Sequence, residues 1–439
     1  MVKKHTKFLK KGMALFFINI FGVAFSIVLN VVLAKEMTQV DYGFYAYIIS
    51  LFTLLSIACQ FGFPTFIIKN LTLYYNDKSY ELFNGLVIFS FTFVMSLSLL
   101  ISLVLFIFKT EVSALLSLES NIQSTGLLLI PIISSLILTS AFLRAMEQPI
   151  RAMYPQVLMK PLLTLLIIVF FLYTQQNISI EIAINSYLIS SIICFVILSC
   201  SFIYLLLDVY KTTKTIEFKR KTWLMGSAPL LLLSSAAVIN DNLPVILLNQ
   251  VLDLESVALY RMSSLGGAVV NFVLLSLTIV IMPRLSVFFE NDEYDKIEDL
   301  SKVCAKLGML LSFPFLVAYY YMSKDFIVQI LGQNYSDIHI ALSLYAFSRI
   351  LMAGFGIPGA VLIMSGYGPK VGRYWLITVL ISASVGVFSA NKYGFIGMIA
   401  CILIGELLLN LKLRQVVANV MSINTGIYPI SGLKRSNAL

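Results

Sequence analysis

Apolar residues run along this chain in long unbroken stretches and not in alternation. Stretches of about 17 to 27 residues start near Gly12, Gly43, Gly85, Ile122, Pro161, Ile182, Leu224, Val257, Val303, Ile338, Tyr374 and Tyr393. A helix rises about 1.5 Å per residue, so each stretch is near the length that crosses about 30 Å of hydrocarbon. Period-two patterning is missing, which excludes a β-barrel. The pattern predicts an all-α integral membrane protein of about twelve transmembrane helices.

Composition agrees with that reading. Of 439 residues 59% are hydrophobic and 12% charged, too little polar surface to cover a soluble core of this size. The net charge of +9 acquires a meaning once the basic residues are placed. With the N-terminus inside, 25 of the 31 Lys and Arg fall in cytoplasmic segments, and the outer segments hold Lys35, Lys109, Lys324 and Lys392. That asymmetry predicts an inner (cytoplasmic) membrane protein with both termini cytoplasmic. It also removes the main support for nucleic-acid binding. The first stretch follows Lys3, Lys4, Lys7, Lys10 and Lys11 but has no small-x-small cleavage site, so it is expected to stay as helix one. Five cysteines without C-x-x-C spacing and two distant histidines argue against a metal site.

The stretches divide into two sets of six at the basic segment DVYKTTKTIEFKRKTW. The expected organisation is a lobe over 1–207, a cytoplasmic linker over 208–223 and a lobe over 224–439. Six is even, so both lobes enter the membrane in the same sense, as a parallel repeat requires. A shift of 215 places Tyr45 on Tyr260, Lys69 on Arg284 and Asn76-Asp77 on Asn291-Asp292; a shift of 220 places Pro149 on Pro369 and Tyr154 on Tyr374. In helix seven Ser227, Ser234 and Asp241 recur at seven-residue spacing, and Gly12, Asn19 and Ser26 take the matching places in helix one. Each first helix therefore carries a polar stripe, which lipid does not tolerate but packed protein or a water-filled cavity does. Asn19 and Ser26 are candidate cavity residues, the alternative being close helix packing through small residues.

Two arginines and two acids lie within the stretches. Asp241 and Arg261 flank the turn near Val251 at similar distance and are expected at one depth. They form either an ion pair, each relieving the other's desolvation, or a proton acceptor and a substrate-phosphate ligand. Arg261 and Asn271 share one helical face. Pro244 predicts a kink in helix seven. Arg349 sits near the middle of helix ten with no acid on its own turns, so it either meets an anion or pairs with Glu406 of helix twelve. Lys69, Arg144 and Arg151 lie at the expected cytoplasmic mouth, where they gather anionic head groups or merely set orientation. FFENDEYDKIEDL (288 to 300) is expected to be an amphipathic helix lying on the cytoplasmic face.

The segments VVLAKEMTQVDYGFYAY, FGFPTFIIKN, VALYRMSSL and IVIMPRLS resemble the signature segments of polysaccharide flippases of the multidrug/oligosaccharidyl-lipid/polysaccharide exporter superfamily. One departure is Lys35, where these proteins often carry arginine. The resemblance implies two six-helix bundles around a central cavity, alternating access, and transport without a cofactor. The implied substrate is an undecaprenyl-pyrophosphate-linked oligosaccharide, carried from the inner to the outer leaflet for a surface polysaccharide such as lipopolysaccharide O-antigen or capsule. Membrane lipids, and glycosyltransferases and a polymerase of the same route, are the expected partners.

No nucleophile-base pair, metal spacing or phosphate-binding glycine loop is present, so an enzyme is not expected. Within the superfamily the rival is a cation-coupled multidrug exporter, which calls for acids in its cavity more than arginines. A membrane glycosyltransferase or polymerase is the rival from another class, and it calls for a long carboxylate-rich outer loop that this sequence lacks.

Overall fold

The computed structural model describes residues 2–108, 125–174, 177–210, 215–322 and 324–428. Contacts divide the chain into two compact units, Met1–Leu243 and Pro244–Leu439. The described residues are almost wholly helical. The first unit holds α1 (Val2–Glu36), α2 (Gln39–Gln60), α3 (Phe63–Asn76), α4 (Tyr80–Ile107), α5 (Leu129–Ala145), α6 (Pro149–Tyr173), α7 (Ile180–Tyr210) and most of α8 (Arg220–Val251). The second holds α9 (Leu254–Glu290), α10 (Tyr294–Tyr321), α11 (Lys324–Leu331), α12 (Ile338–Ala353) and α13 (Pro358–Met421).

Nine of these helices are long and apolar enough to cross a membrane among the described residues, or ten with the bent α8. The protein is a multi-pass membrane protein. Two features separate this count from the twelve stretches of the sequence. Helix α12 has 16 residues, short for a span, and α13 is one run of 64 residues broken at Gly394, where φ is 63° and ψ −156°. A straight helix of that length would reach about 96 Å. The break makes α13 two helices in all but name.

Burial sorts helices by position. Over its most apolar window α5 is 83% buried and so runs through the middle of the first unit, whereas α1, α4 and α6 are each 22% buried and show apolar faces such as Leu99, Leu103 and Phe106 to lipid. At one end of the unit Phe63, Phe66, Ile67 and Leu71 of α3 share one core cluster with Phe83 and Leu86 of α4, Phe142 of α5 and Phe202 of α7. This 14-residue helix is too short to span and was not separated from helix two by the sequence pattern.

Residues 215–231 also belong to this unit. The Glu217 amide donates to the Glu81 carbonyl (3.1 Å), Thr215 donates to the Glu81 carboxylate, and Trp223 is fully buried among the aromatic side chains. Gly62, with φ +76°, lets the backbone of Ser227–Leu231 approach where any Cβ would collide. The second half of the basic segment, 215–223, is thus docked on the first unit. The bend in α8, 51° between Arg220–Leu231 and Ser235–Val251, follows Pro229 and precedes Pro244.

Local backbone geometry displays the repeat independently of residue identity. Thr38 caps α2 by accepting from Asp41 N (3.1 Å), and 215 positions later Asp253 caps α9 by accepting from Ser256 N (2.7 Å). At the second turn Asp77, Lys78 and Ser79 donate to the carbonyls of Leu73, Tyr75 and Tyr74; Asn291, Asp292 and Glu293 donate to Val287, Phe289 and Phe288. Lys78 (φ 55°) thereby matches Asp292 (φ 53°), a register of 214. At the third, a positive-φ residue, a proline-started turn and a π-turn follow in order. They are Glu147, Pro149 and Tyr154–Met159 in one unit, and Gly356, Pro358 and Ile363–Tyr367 in the other. The register there is 209, so Pro149 matches Pro358. The expected match at 220, Pro149 with Pro369, is a coincidence of residue type.

The acidic stretch 288–300 is not a separate surface helix. It ends α9, turns at Asn291–Glu293 and begins α10, which continues from Tyr294 into the apolar run without interruption. The segment after α13 is docked in turn. Arg414 donates to Asn424 Oδ1 and the Tyr428 carbonyl, Asn424 N donates to Glu298 (2.9 Å), Ser301 donates to the Thr425 carbonyl (2.6 Å) and Ile427 N donates to the Gly354 carbonyl (3.0 Å). Gly356, with φ +76°, lies under the Thr425 carbonyl. These contacts tie Asn424–Tyr428 to α10 and to the α12–α13 turn, satisfying carbonyls that the helix ends leave open.

Candidate substrate site

Polar side chains in the first unit gather along α1. Asn19 donates to the Leu15 carbonyl (2.8 Å) and Asn30 to the Ser26 carbonyl (2.7 Å), so each amide nitrogen donates within its own helix. Buried Asn30 also accepts from the Tyr42 hydroxyl (3.0 Å), fastening α1 to α2. Asn19 and Ser26 are half-buried. Between them Gly22 meets the Val157 carbonyl so closely that a Cβ would stand 2.5 Å away. The cause lies in α6. Pro161 has no N–H for the Val157 carbonyl four residues earlier, the helix widens into the π-turn Tyr154–Met159, and the freed carbonyl faces α1.

Because α6 starts at Pro149, Lys160 lies inside the span. The sequence reading counted it among cytoplasmic charges, with the helix starting at Pro161. Helix continuity through three prolines spaced six apart (149, 155 and 161) is what that reading missed. Lys160 Nζ donates to the Tyr187 hydroxyl of α7 at 2.9 Å and stands 4.7 Å from the centre of that ring. At one end of this unit lie Lys69 on α3, Arg144 at the close of α5 and Arg151 at the start of α6. The Thr72 hydroxyl joins α3 to α5 there by donating to the Ala145 carbonyl (3.0 Å). Lys69 and Arg151 are exposed, Arg144 is half-buried, and its Nε is buried without a hydrogen-bond partner. Asp241 is exposed near the end of the unit.

In the second unit Arg349 and Glu406 come together. Their side chains are 10% and 13% exposed, and Nη1 lies 2.8 Å from Oε2, close but out of line for a hydrogen bond. Arg349 is thus a paired cation, the second of the two arrangements expected for it. Glu406 reaches it from the far half of α13. Nη1 also approaches Met352 Sδ (3.3 Å), while buried Nε has no partner, so donors remain free on the guanidinium. A cavity of about 160 Å³ lies in the same unit, lined by Met352, Asn410, Thr278 and Gly356 among others. Asn410 stands one turn beyond Glu406 and donates to its carbonyl (2.9 Å). Arg261 is half-buried and Asn271 exposed on α9. The five cysteines are free thiols.

This fold, with its repeated turns and polar groups held inside apolar helices, is that of the multidrug/oligosaccharidyl-lipid/polysaccharide (MOP) transporter superfamily. The structure superposes on an inward-facing multidrug resistance MATE family transporter of that superfamily with a TM-score of 0.67 and 14% identity, covering 96% of each chain. It superposes on the lipid II flippase MurJ in an inward closed conformation with a TM-score of 0.66 and 16% identity, covering 92% of this chain and 87% of the other. A straight-conformation MATE structure gives 0.64 at 13% identity, covering 94% and 95%. No curated protein sequence matches. The model of the polysaccharide biosynthesis protein family matches residues 8–289, and the chain belongs to that family.

Proposed function

We propose that the protein is a flippase that carries an undecaprenyl-pyrophosphate-linked oligosaccharide from the inner to the outer leaflet by alternating access. The observation that carries this reading is the match to the polysaccharide biosynthesis family, which extends through the first unit and α9. The MurJ likeness supports the same fold, and MurJ is named for lipid II, itself a lipid. The free donors on Arg349 and the half-buried Arg261 suit an anionic cargo, since a guanidinium matches phosphate oxygens in charge and geometry. In this reading α12 and both halves of α13 cross the membrane, which makes twelve spans with both termini in the cytoplasm.

Complementation of a flippase-deficient strain is the test, scored as surface polysaccharide per unit of expressed protein. Restored polysaccharide is expected; drug resistance without it would establish the multidrug exporter instead. Orientation is checked in a cysteine-free background, where an impermeant thiol reagent should label Asn177→Cys from outside and Lys219→Cys only after the membrane is opened. Labelling of position 219 in intact cells would sink the topology.

Asp241 is proposed as a coupling acid that takes up a proton during transport. Asp241→Asn should then fold normally and lose pH-dependent transport; a lowered folded level with transport intact per folded molecule would make it a structural residue.

A further inference from the structure

We propose that Lys160 is an anion contact for the cargo within the first unit, where its ammonium binds a phosphate of the lipid pyrophosphate. This inference rests on the flippase reading above. Lys160 lies eleven residues beyond Pro149 and thirteen before Tyr173 on one continuous helix, about 16 Å and 20 Å along the axis. A lysine side chain reaches about 6 Å, so this one does not snorkel to either interface. An ammonium has three donors, and among the described residues one goes to the Tyr187 hydroxyl and no carboxylate lies within ion-pairing distance of the others.

A purely structural lysine at this depth would be expected to carry a compensating acid, as Arg349 does with Glu406. Lys160 instead has a neutral phenol that accepts one hydrogen bond and places the electron-rich ring face beside the cation, 4.7 Å from the ring centre. Such an arrangement orients the charge without neutralising it. It also directly follows the π-turn Tyr154–Met159, a helix irregularity that frequently accompanies functional sites. A phosphate oxygen supplies what the surroundings lack, a full negative charge at hydrogen-bonding distance.

The probe is undecaprenyl pyrophosphate, compared with uncharged undecaprenol, on the purified full chain in detergent by native mass spectrometry. Wild type should retain the pyrophosphate lipid preferentially. Lys160→Met and Lys160→Gln should weaken that retention by roughly ten to a hundredfold and leave undecaprenol binding unchanged, the loss expected for one charge-assisted contact. Wild-type affinity in either folded variant overturns the inference and leaves the flippase reading standing. Equal retention of the two lipids by wild type overturns the flippase reading, and this inference with it. If neither variant folds, the wild type serves: undecaprenyl pyrophosphate should slow acylation of Lys160 by a membrane-permeant amine reagent, read on the modified peptide, and undecaprenol should not. Equal rates with both lipids overturn the inference.

Discussion

Arg349→Ala is expected to lower the folded population sharply, by about 3–5 kcal/mol, because it leaves Glu406 as a charge without its partner in a site 13% exposed. Glu406→Ala should do the same from the other side. The cost belongs to breaking the pair more than to the pair's own strength. Removing both charges together, as Arg349→Met with Glu406→Leu, should therefore restore much of what either single change loses. Thermal unfolding of the purified variants measures this directly. A folded, fully stable Arg349→Ala protein would show that the pair has no part in holding α12 to α13. The double variant then isolates function from folding. Recovered stability with lost polysaccharide export would assign the free guanidinium donors to the cargo, whereas recovered export would confine the pair to structure.

How far the sequence foretells such a site depends on whether the needed partner is local. Stretch lengths, the polar stripe on α1 and the charge asymmetry are one-dimensional properties. Each helix in a bilayer satisfies its own backbone, so its existence is legible without knowing its neighbours. The same independence leaves pairings undecided, so that Glu406 is only one of two counterparts the sequence offers Arg349. Arg349 and Glu406 are 57 positions apart, and their contact requires α13 to fold back at Gly394, a glycine with positive φ that hydropathy does not register. Lys160 was hidden for a different reason. Three prolines and a lysine read as a loop, yet the π-turn absorbs Pro161 and keeps α6 continuous. The repeat was legible in outline and misplaced in register, because its closest correspondences are turn geometries. Lys78 and Asp292 share a left-handed backbone and a hydrogen-bond pattern without sharing a side chain.

The largest expected effect on a single core comes from Trp223→Ala. The indole is fully buried, stands 5.7 Å from the Phe89 ring and closes the end of the first unit's core beside Phe63, Phe83 and Phe142. Deleting a buried tryptophan ring costs about 3–5 kcal/mol in lost transfer energy and residual cavity. Its hydrogen bond is a lesser contribution. Nε1 donates to the Tyr74 hydroxyl across 3.4 Å, longer than the usual range, so Tyr74→Phe should cost no more than about 1 kcal/mol. Lys221→Ala, two residues away on an exposed position, should fall within about 0.5 kcal/mol of wild type. The contrast carries a structural consequence, because Trp223 is where the basic segment enters α8. If docking of residues 215–223 is what holds the start of α8 to α3 and α4, Trp223→Ala should also expose that segment to protease while Lys221→Ala leaves it protected. Equal protection of Trp223→Ala and wild type, with equal unfolding temperatures, would mean that the segment is a free tether and that the core closes without it.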